Sequence, residues 1–364
     1  MSPWPSSPLI DRRAFLAMAG SAWAASLAPR AAMAMTATDA VYAAAFRDPD
    51  GTFGLATVTE RGEVVERVRL PARAHGLCHS PVAGRAVAFA RRPGTFALVV
   101  DLSHRTPPLT IAAAEGRHFF GHGCFSQDGR LLYATENDID AGQGMIGVYD
   151  GTDGYRRIGE FPSYGIGPHD MALSPGGQML IVANGGIETH PDFGRTKLNL
   201  DRMQPSLALI GTESGALIER HAMPPDLAQL STRHVDLGAD GRIWFACQYE
   251  GPRNDLPPLA GSFRPGEDIR FLSLPEEASL MLANYVGAIA VNRESGFVGL
   301  ASPKGGAVVT VEASSGRLVE TRSLIDAAGI AAARSGFAVS SYDGLFAQTQ
   351  SPLAWDQHIA RITA

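Results

Sequence analysis

The sequence predicts an all-β protein, a β-propeller of four-stranded blades, from three features. One strand pair led by a histidine recurs along the chain, and further strand-like runs fill the intervals between copies. In addition, 40 glycines and 24 prolines supply turns throughout the 364 residues. At 45% hydrophobic and 19% charged, the chain can bury a large core, which excludes both a disordered chain and a disulfide-stapled mini-protein.

The repeat comes first. His75-Gly-Leu-Cys-His-Ser-Pro runs into Arg85-Ala-Val-Ala-Phe-Ala, and His122-Gly-Cys-Phe-Ser-Gln-Asp-Gly into Arg130-Leu-Leu-Tyr-Ala. His169-Asp-Met-Ala-Leu-Ser-Pro-Gly-Gly and His234-Val-Asp-Leu-Gly-Ala-Asp-Gly open two more copies, and copies at Gly287 and Gly329 keep the frame without the histidine. Successive copies start 47, 47, 65, 53 and 42 residues apart. Each interval also holds two further strand-like runs, such as 95–101 with 109–112 and 145–150 with 155–161. Four short strands per interval is the pattern of a propeller blade. The 65-residue interval is 18 longer than the first two, and the polar stretch at about 185–205 accounts for the excess as a loop on one face.

Ahead of the first histidine, residues 41–46, 53–59 and 64–70 read as three strands lacking a first partner. They predict a seventh blade completed by a strand from the other end of the chain, which closes the ring and removes its edges. Six blades is the alternative. Residues 35–364 are thus expected to form a single propeller domain.

Residues 1–34 differ in composition from the remainder: Asp11-Arg12-Arg13-Ala14-Phe15-Leu16, an alanine-rich apolar stretch to about Leu27, then Ala32-Met33-Ala34. An apolar stretch of about a dozen residues is too short to anchor stably in a membrane. The paired arginines resemble a twin-arginine export signal, with Asp11 where Ser or Thr is usual, and imply export of a folded protein to the periplasm. Removing this segment takes the net charge from −6 to −8. With only two lysines, Lys197 and Lys304, there is no polybasic run for nucleic acid or anionic lipid, and a monomer is expected. Cys78, Cys124 and Cys247 are an odd set in apolar runs and read as small buried side chains. Gly142-Gln-Gly-Met-Ile-Gly matches a dinucleotide-binding spacing but precedes a strand rather than opening a helix, so it reads as a hairpin turn.

In a propeller the first strand of each blade lines the central channel, so His75, His122, His169 and His234 should form a ring. Imidazoles converging in one layer suit iron, copper or zinc. A structural ring bonding neighbouring blades and an acid–base ring are the other readings. Polar groups recur where second strands end, including Glu136 and Asn184, and the long loop carries Glu188, His190, Asp192 and Arg195. These residues are candidates for binding at the rim or loop.

The run Asn184-Gly-Gly-Ile-Glu-Thr-His-Pro-Asp-Phe-Gly-Arg-Thr-Lys-Leu-Asn-Leu, followed by Met203-Gln-Pro-Ser-Leu, resembles the hallmark of an exported bacterial family of unknown function. His122-Gly-Cys-Phe-Ser, Gly165-Ile-Gly-Pro-His-Asp, Gln229-Leu-Ser-Thr-Arg-His and Ala246-Cys-Gln-Tyr-Glu-Gly extend the resemblance over the mature chain. The family is similar to YVTN and quinoprotein-dehydrogenase-like propellers and is often encoded beside imelysin-type proteins linked to iron uptake. The resemblance implies a propeller, a periplasmic location and an iron-related setting, and carries over no catalytic residues. Three functions follow as expectations: iron or copper acquisition or handling through the histidine ring, a non-catalytic scaffold for an imelysin-like periplasmic partner, or a lactonase-like or quinone-dependent enzyme.

Overall fold

The computed structural model describes residues 27–102 and 105–363, and most of the export-signal reading at 1–34 lies outside them. Seven four-stranded antiparallel sheets follow one another around an axis. Blade 1 takes its three outer strands from the N-terminal side, and its inner strand, Ala354–Arg361, comes from the C-terminal end and pairs with Val41–Arg47. The ring therefore closes by strand exchange, and the inner strands touch their neighbours all the way round. Among the described residues no helix is long and apolar enough to cross a membrane.

The inner strands of blades 2 to 7 are Ala74–Ser80, Arg117–Phe125, Pro168–Leu173, Leu230–Leu237, Ala288–Asn292 and Ala327–Ala332. Each hands over to its second strand at a turn where a glycine adopts positive φ: Gly84, Gly129, Gly177, Gly241, Gly296 and Gly336. Only glycine takes that conformation without strain, which is why the repeat is legible as a glycine at fixed offset. Second and third strands are buried on both faces, as in Met179–Asn184 and Ser206–Gly211. Outer strands such as Arg156–Pro162 alternate exposed and half-buried residues.

The core lies between blades. Tyr42, Phe46, Phe346 and Trp355 interlock blades 1 and 7, with the Phe346 and Trp355 ring centres 5.2 Å apart. Phe89, Phe119 and Tyr149 do the same for blades 2 and 3. Burial of each such side chain is worth about 1.5–3 kcal/mol. The helix Pro29–Ala37 packs Ala31 and Met35 against blade 1, so part of the segment expected to be removed on export lies on the propeller. Residues 185–205 join the second and third strands of blade 4 and carry one 3-10 turn, Pro191–Phe193. All three cysteines are free; Cys247 is buried, while Cys78 and Cys124 are half-buried. Gly142 lies in the hairpin turn between the second and third strands of blade 3.

Six of the seven inner strands break register at channel level. The shifts fall between residues 74 and 77, 119 and 123, 168 and 170, 232 and 234, and 327 and 330, and opposite Ala44–Phe46 in blade 1. A bulge adds unpaired residues and re-aims the side chains it carries. Here those residues include His75, His122, His169, Arg233 and His358.

Candidate metal centre

Five of the ten histidines meet on the axis. His358, on the strand that closes blade 1, joins His75, His122, His169 and His234, so five consecutive blades each contribute one imidazole. Ring centres lie 4.9 Å apart for His75 and His122, 4.6 Å for His122 and His358, and 4.9 Å for His169 and His234. Close approach needs glycine. A Cβ on Gly76 would stand 2.2 Å from the Gly121 carbonyl oxygen and 2.6 Å from His122 Nδ1.

Asp170 organises one side of the cluster. Its Oδ1 lies 3.0 Å from His122 Nδ1 and accepts from the Met171 amide at 2.8 Å. Its Oδ2 accepts from the Val235 amide at 3.2 Å and lies 3.6 Å from His234 Nδ1. Burial alone would raise this carboxyl, but its interactions with His122, at hydrogen-bond distance, and with the nearby His234 outweigh it and hold Asp170 well below the usual carboxylate range. A carboxylate on Nδ1 fixes the His122 proton there, leaving the Nε2 lone pair for the axis.

Burial also pushes the His75, His169, His234 and His358 imidazoles down, and nearby charge adds to it, His358 for His75 and Arg233 for His169. For His234 the Asp170 carboxylate works against burial. Near neutral pH these four are therefore neutral rings, each with one nitrogen lone pair. Arg233 lies 3.4 Å from His169 Nδ1, and because guanidinium only donates, that nitrogen is the acceptor.

Several ring nitrogens find no hydrogen-bond partner although buried: His75 Nδ1, His122 Nε2, both nitrogens of His234 and His358 Nε2. An unsatisfied buried polar group costs about 1–3 kcal/mol, so a cluster of them in one spot favours a bound partner, an ion or water. Two trios have ligand atoms within 4.8 Å of one another: His75, His122 and His358, and His122, His169 and His234. The Nε2 atoms of His75 and His169 are 3.4 Å apart. Two nitrogens each about 2.0–2.1 Å from one tetrahedral ion would be about 3.3–3.4 Å apart, within the 4.8 Å that bounds the ligand atoms of each trio. The donor set thus fits a borderline transition metal.

The remaining sequence candidates lie elsewhere. Glu136 is buried within blade 3, accepting from Tyr149 Oη at 2.6 Å and pairing with Arg157 at 2.8 Å. Asn184 donates Nδ2 to the Ser163 carbonyl at 3.0 Å. Glu188 pairs with Arg202 at 3.2 Å, and His190 Nδ1 accepts from the Asp192 amide, whose own carboxylate is exposed. No hydrogen bond or ion pair among the described residues joins these five to the histidine cluster. Sequence reasoning missed His358 and Asp170, although the expected strand exchange required an inner strand from the C-terminal end, and His358 is the histidine there.

Fold and site together define a seven-bladed propeller whose channel is closed by a histidine cluster. The chain belongs to the family described as protein of unknown function DUF1513, whose model matches residues 68–362. No curated protein matches the sequence. Among solved structures it is similar to Kuenenia stuttgartiensis hydrazine synthase, at 16% identity and a TM-score of 0.58, covering 81% of this chain and 91% of that one. The Myceliophteria thermophila Cps50 (Swd1) β-propeller domain is similar at 11% identity and a TM-score of 0.57, covering 82% and 93%. A chain of the nidogen/laminin complex follows at 13% identity and 0.54, covering 89% and 100%. At these identities the likeness concerns the fold alone.

Proposed function

We propose that this protein is a periplasmic metal-handling propeller that holds one transition-metal ion on its axis. His75, His122 and His358 are the ligands, with His169 and His234 completing the cage. The observation that carries the reading is His122, whose Nδ1 is committed to Asp170 while its Nε2 is left buried and unpartnered beside the equally unpartnered Nε2 of His358. His169 ligates only if it gives up its contact with Arg233, because that contact takes the Nδ1 lone pair and leaves the proton on Nε2. Iron, copper and zinc all suit neutral imidazole. The twin-arginine pattern supports export after folding, which would allow loading in the cytoplasm, and an imelysin-like protein is the proposed partner in iron or copper handling.

The test is elemental analysis of protein purified without a His tag and reconstituted with each metal, alongside His122→Ala, His358→Ala and a variant lacking all five imidazoles. About one ion per chain is expected, lost in the five-fold variant, with stabilisation by metal of about 2.7 kcal/mol at a hundredfold excess over Kd. No ion after reconstitution, or an ion retained without the imidazoles, refutes the proposal. The contacts between His75 and His169 and between His122 and Asp170 also link separate blades, so a structural ring is the competing reading. In that case each alanine variant loses the same stability with and without metal.

A further inference from the structure

The face of the propeller above the histidines is a collar of arginines. Arg73 and Arg91 flank the first two strands of blade 2, Arg92 follows, Arg195 and Lys197 come from the long loop, and Arg233 sits in the bulge beside His234. Against these six cations stand two carboxylates. Asp356 takes Arg73 in a two-pronged pair at 2.6 and 3.0 Å and lies 3.5 Å from Arg91. Glu250 takes Lys197 and lies 3.8 Å from Arg233. Arg92 and Arg195 make no ion pair among the described residues. The collar therefore keeps a surplus of positive charge in a protein whose net charge is −6.

Apart from Arg73 and Lys197, its members are poorly satisfied. Arg233 is 6% exposed, and its Nε, like that of Arg91, has no hydrogen-bond partner. A cleft of about 410 Å³ opens beside Arg91 at one side of the collar, lined also by Arg47, Phe53, Arg73, Tyr342, Ala354 and Asp356, and not by Arg92, Arg195 or Arg233. Burial, with repulsion from Arg233, Arg195 and Arg91, pushes Arg92 down to about 9; burial and Arg91 push Arg195 the same way. Crowding guanidiniums in a half-buried mouth is unfavourable unless an anion neutralises them, and planar guanidinium forks match oxyanions in geometry.

We propose that the channel mouth is a binding site for a small multivalent oxyanion, a polycarboxylate or phosphate, held by Arg91, Arg92, Arg195 and Arg233. The site stands whether or not the histidines hold metal. If they do, the collar would hold an anionic co-ligand of the ion, making an anionic metal complex the natural cargo.

The experiment is isothermal titration of metal-free protein with citrate and, separately, inorganic phosphate, at matched ionic strength. Wild type is compared with Arg92→Gln/Arg195→Gln and with the variant lacking all five imidazoles. Wild type should bind at least one of the two anions with Kd below about 1 mM, and whichever binds names the source. The double arginine variant should lose affinity at least tenfold, about 1.4 kcal/mol, with no loss of melting temperature, because the substitutions relieve like-charge repulsion. If that variant fails to fold, Arg195→Gln, at an exposed position, carries the same comparison. No binding by wild type, or a smaller loss in the variant, overturns the proposal. Anion binding that survives removal of the imidazoles, in a protein that takes no metal, would retain this site while refuting the metal centre.

Discussion

Replacing Asp170 by Asn tests whether the carboxylate presents His122 to an ion. Asp170 accepts from His122 Nδ1 and the Met171 amide on one oxygen and from the Val235 amide on the other, with His234 Nδ1 at 3.6 Å. An asparagine has one oxygen for these donors. If that oxygen stays on His122 and Met171, the new NH2 faces the Val235 N–H, donor against donor. If it flips, the NH2 faces His122 Nδ1 and drives the proton to Nε2, where it blocks the lone pair. Either way one buried backbone N–H or one ring nitrogen is left unpaired, which costs about 1–3 kcal/mol. For a domain of this size that lowers the melting temperature of metal-free protein by roughly 1.5–4 °C. Loss of an outer carboxylate typically weakens metal binding about 10–100-fold, so competition against a chromophoric chelator should show that drop while differential scanning calorimetry shows the small thermal loss. A folded Asp170→Asn protein with affinity within about twofold of wild type would refute the assigned role.

Three further outcomes are expected. His75, His169, His234 and His358 have folded-state pKa values below their unfolded ones, so the stability they contribute is complete above about pH 6.5 and is lost as pH falls. Each can cost up to about 1.4 kcal/mol per pH unit, and urea midpoints of metal-free protein at pH 7.5 and 5.5 should differ accordingly; equal midpoints contradict the neutral cluster. Gly76→Ala drives a methyl onto the Gly121 carbonyl and His122, so it should destabilise by about 1–3 kcal/mol and reduce metal content, measured by denaturation and elemental analysis. Arg157→Ala strands the buried Glu136 carboxylate with Tyr149 alone, for a loss of about 3 kcal/mol, yet metal content should not change.

The propeller was readable because its turns demand glycine at positive φ and its second strands are buried runs, two constraints that repeat with every blade. Four of the five histidines were readable for the same reason. His358 escaped because Ala354–Arg361 is an inner strand with no glycine turn and no second strand after it, so it matches no template. Asp170 escaped because an acid after a histidine has no distinctive spacing, and its partners Val235 and His234 lie 65 and 64 positions away in sequence. Glu136 and Asn184 recur at strand ends and so looked like one rim, yet each is bonded inside the blades. The arginine mouth draws on four separate segments and leaves no local pattern.

The cluster is built from five blades rather than seven, and the way the ring closes is part of the reason. In the histidine-free blades 6 and 7, the equivalent positions are Gly287 and Gly329. A Cβ at Gly287 would meet Pro303 Cδ at 2.8 Å and Gln357 Nε2 at 3.2 Å, and one at Gly329 would meet Ile359 Cγ1 and Ser340 Oγ, each at 2.8 Å. Gln357 and Ile359 come from the closing strand of blade 1, whose bulge leaves Asp356, Gln357 and His358 without register partners, while Pro303 and Ser340 belong to blades 6 and 7 themselves. Gln357 reaches on to Tyr285 Oη at 3.2 Å, ahead of the inner strand of blade 6. The space that two more imidazoles would need is thus filled jointly by Pro303, Ser340 and the strand that brings the fifth. Strand exchange therefore does two jobs here: it removes the open edges of the sheet, and it carries His358 to the imidazoles of blades 2 to 5. A truncation that frees this strand should open the ring and dismantle the site together.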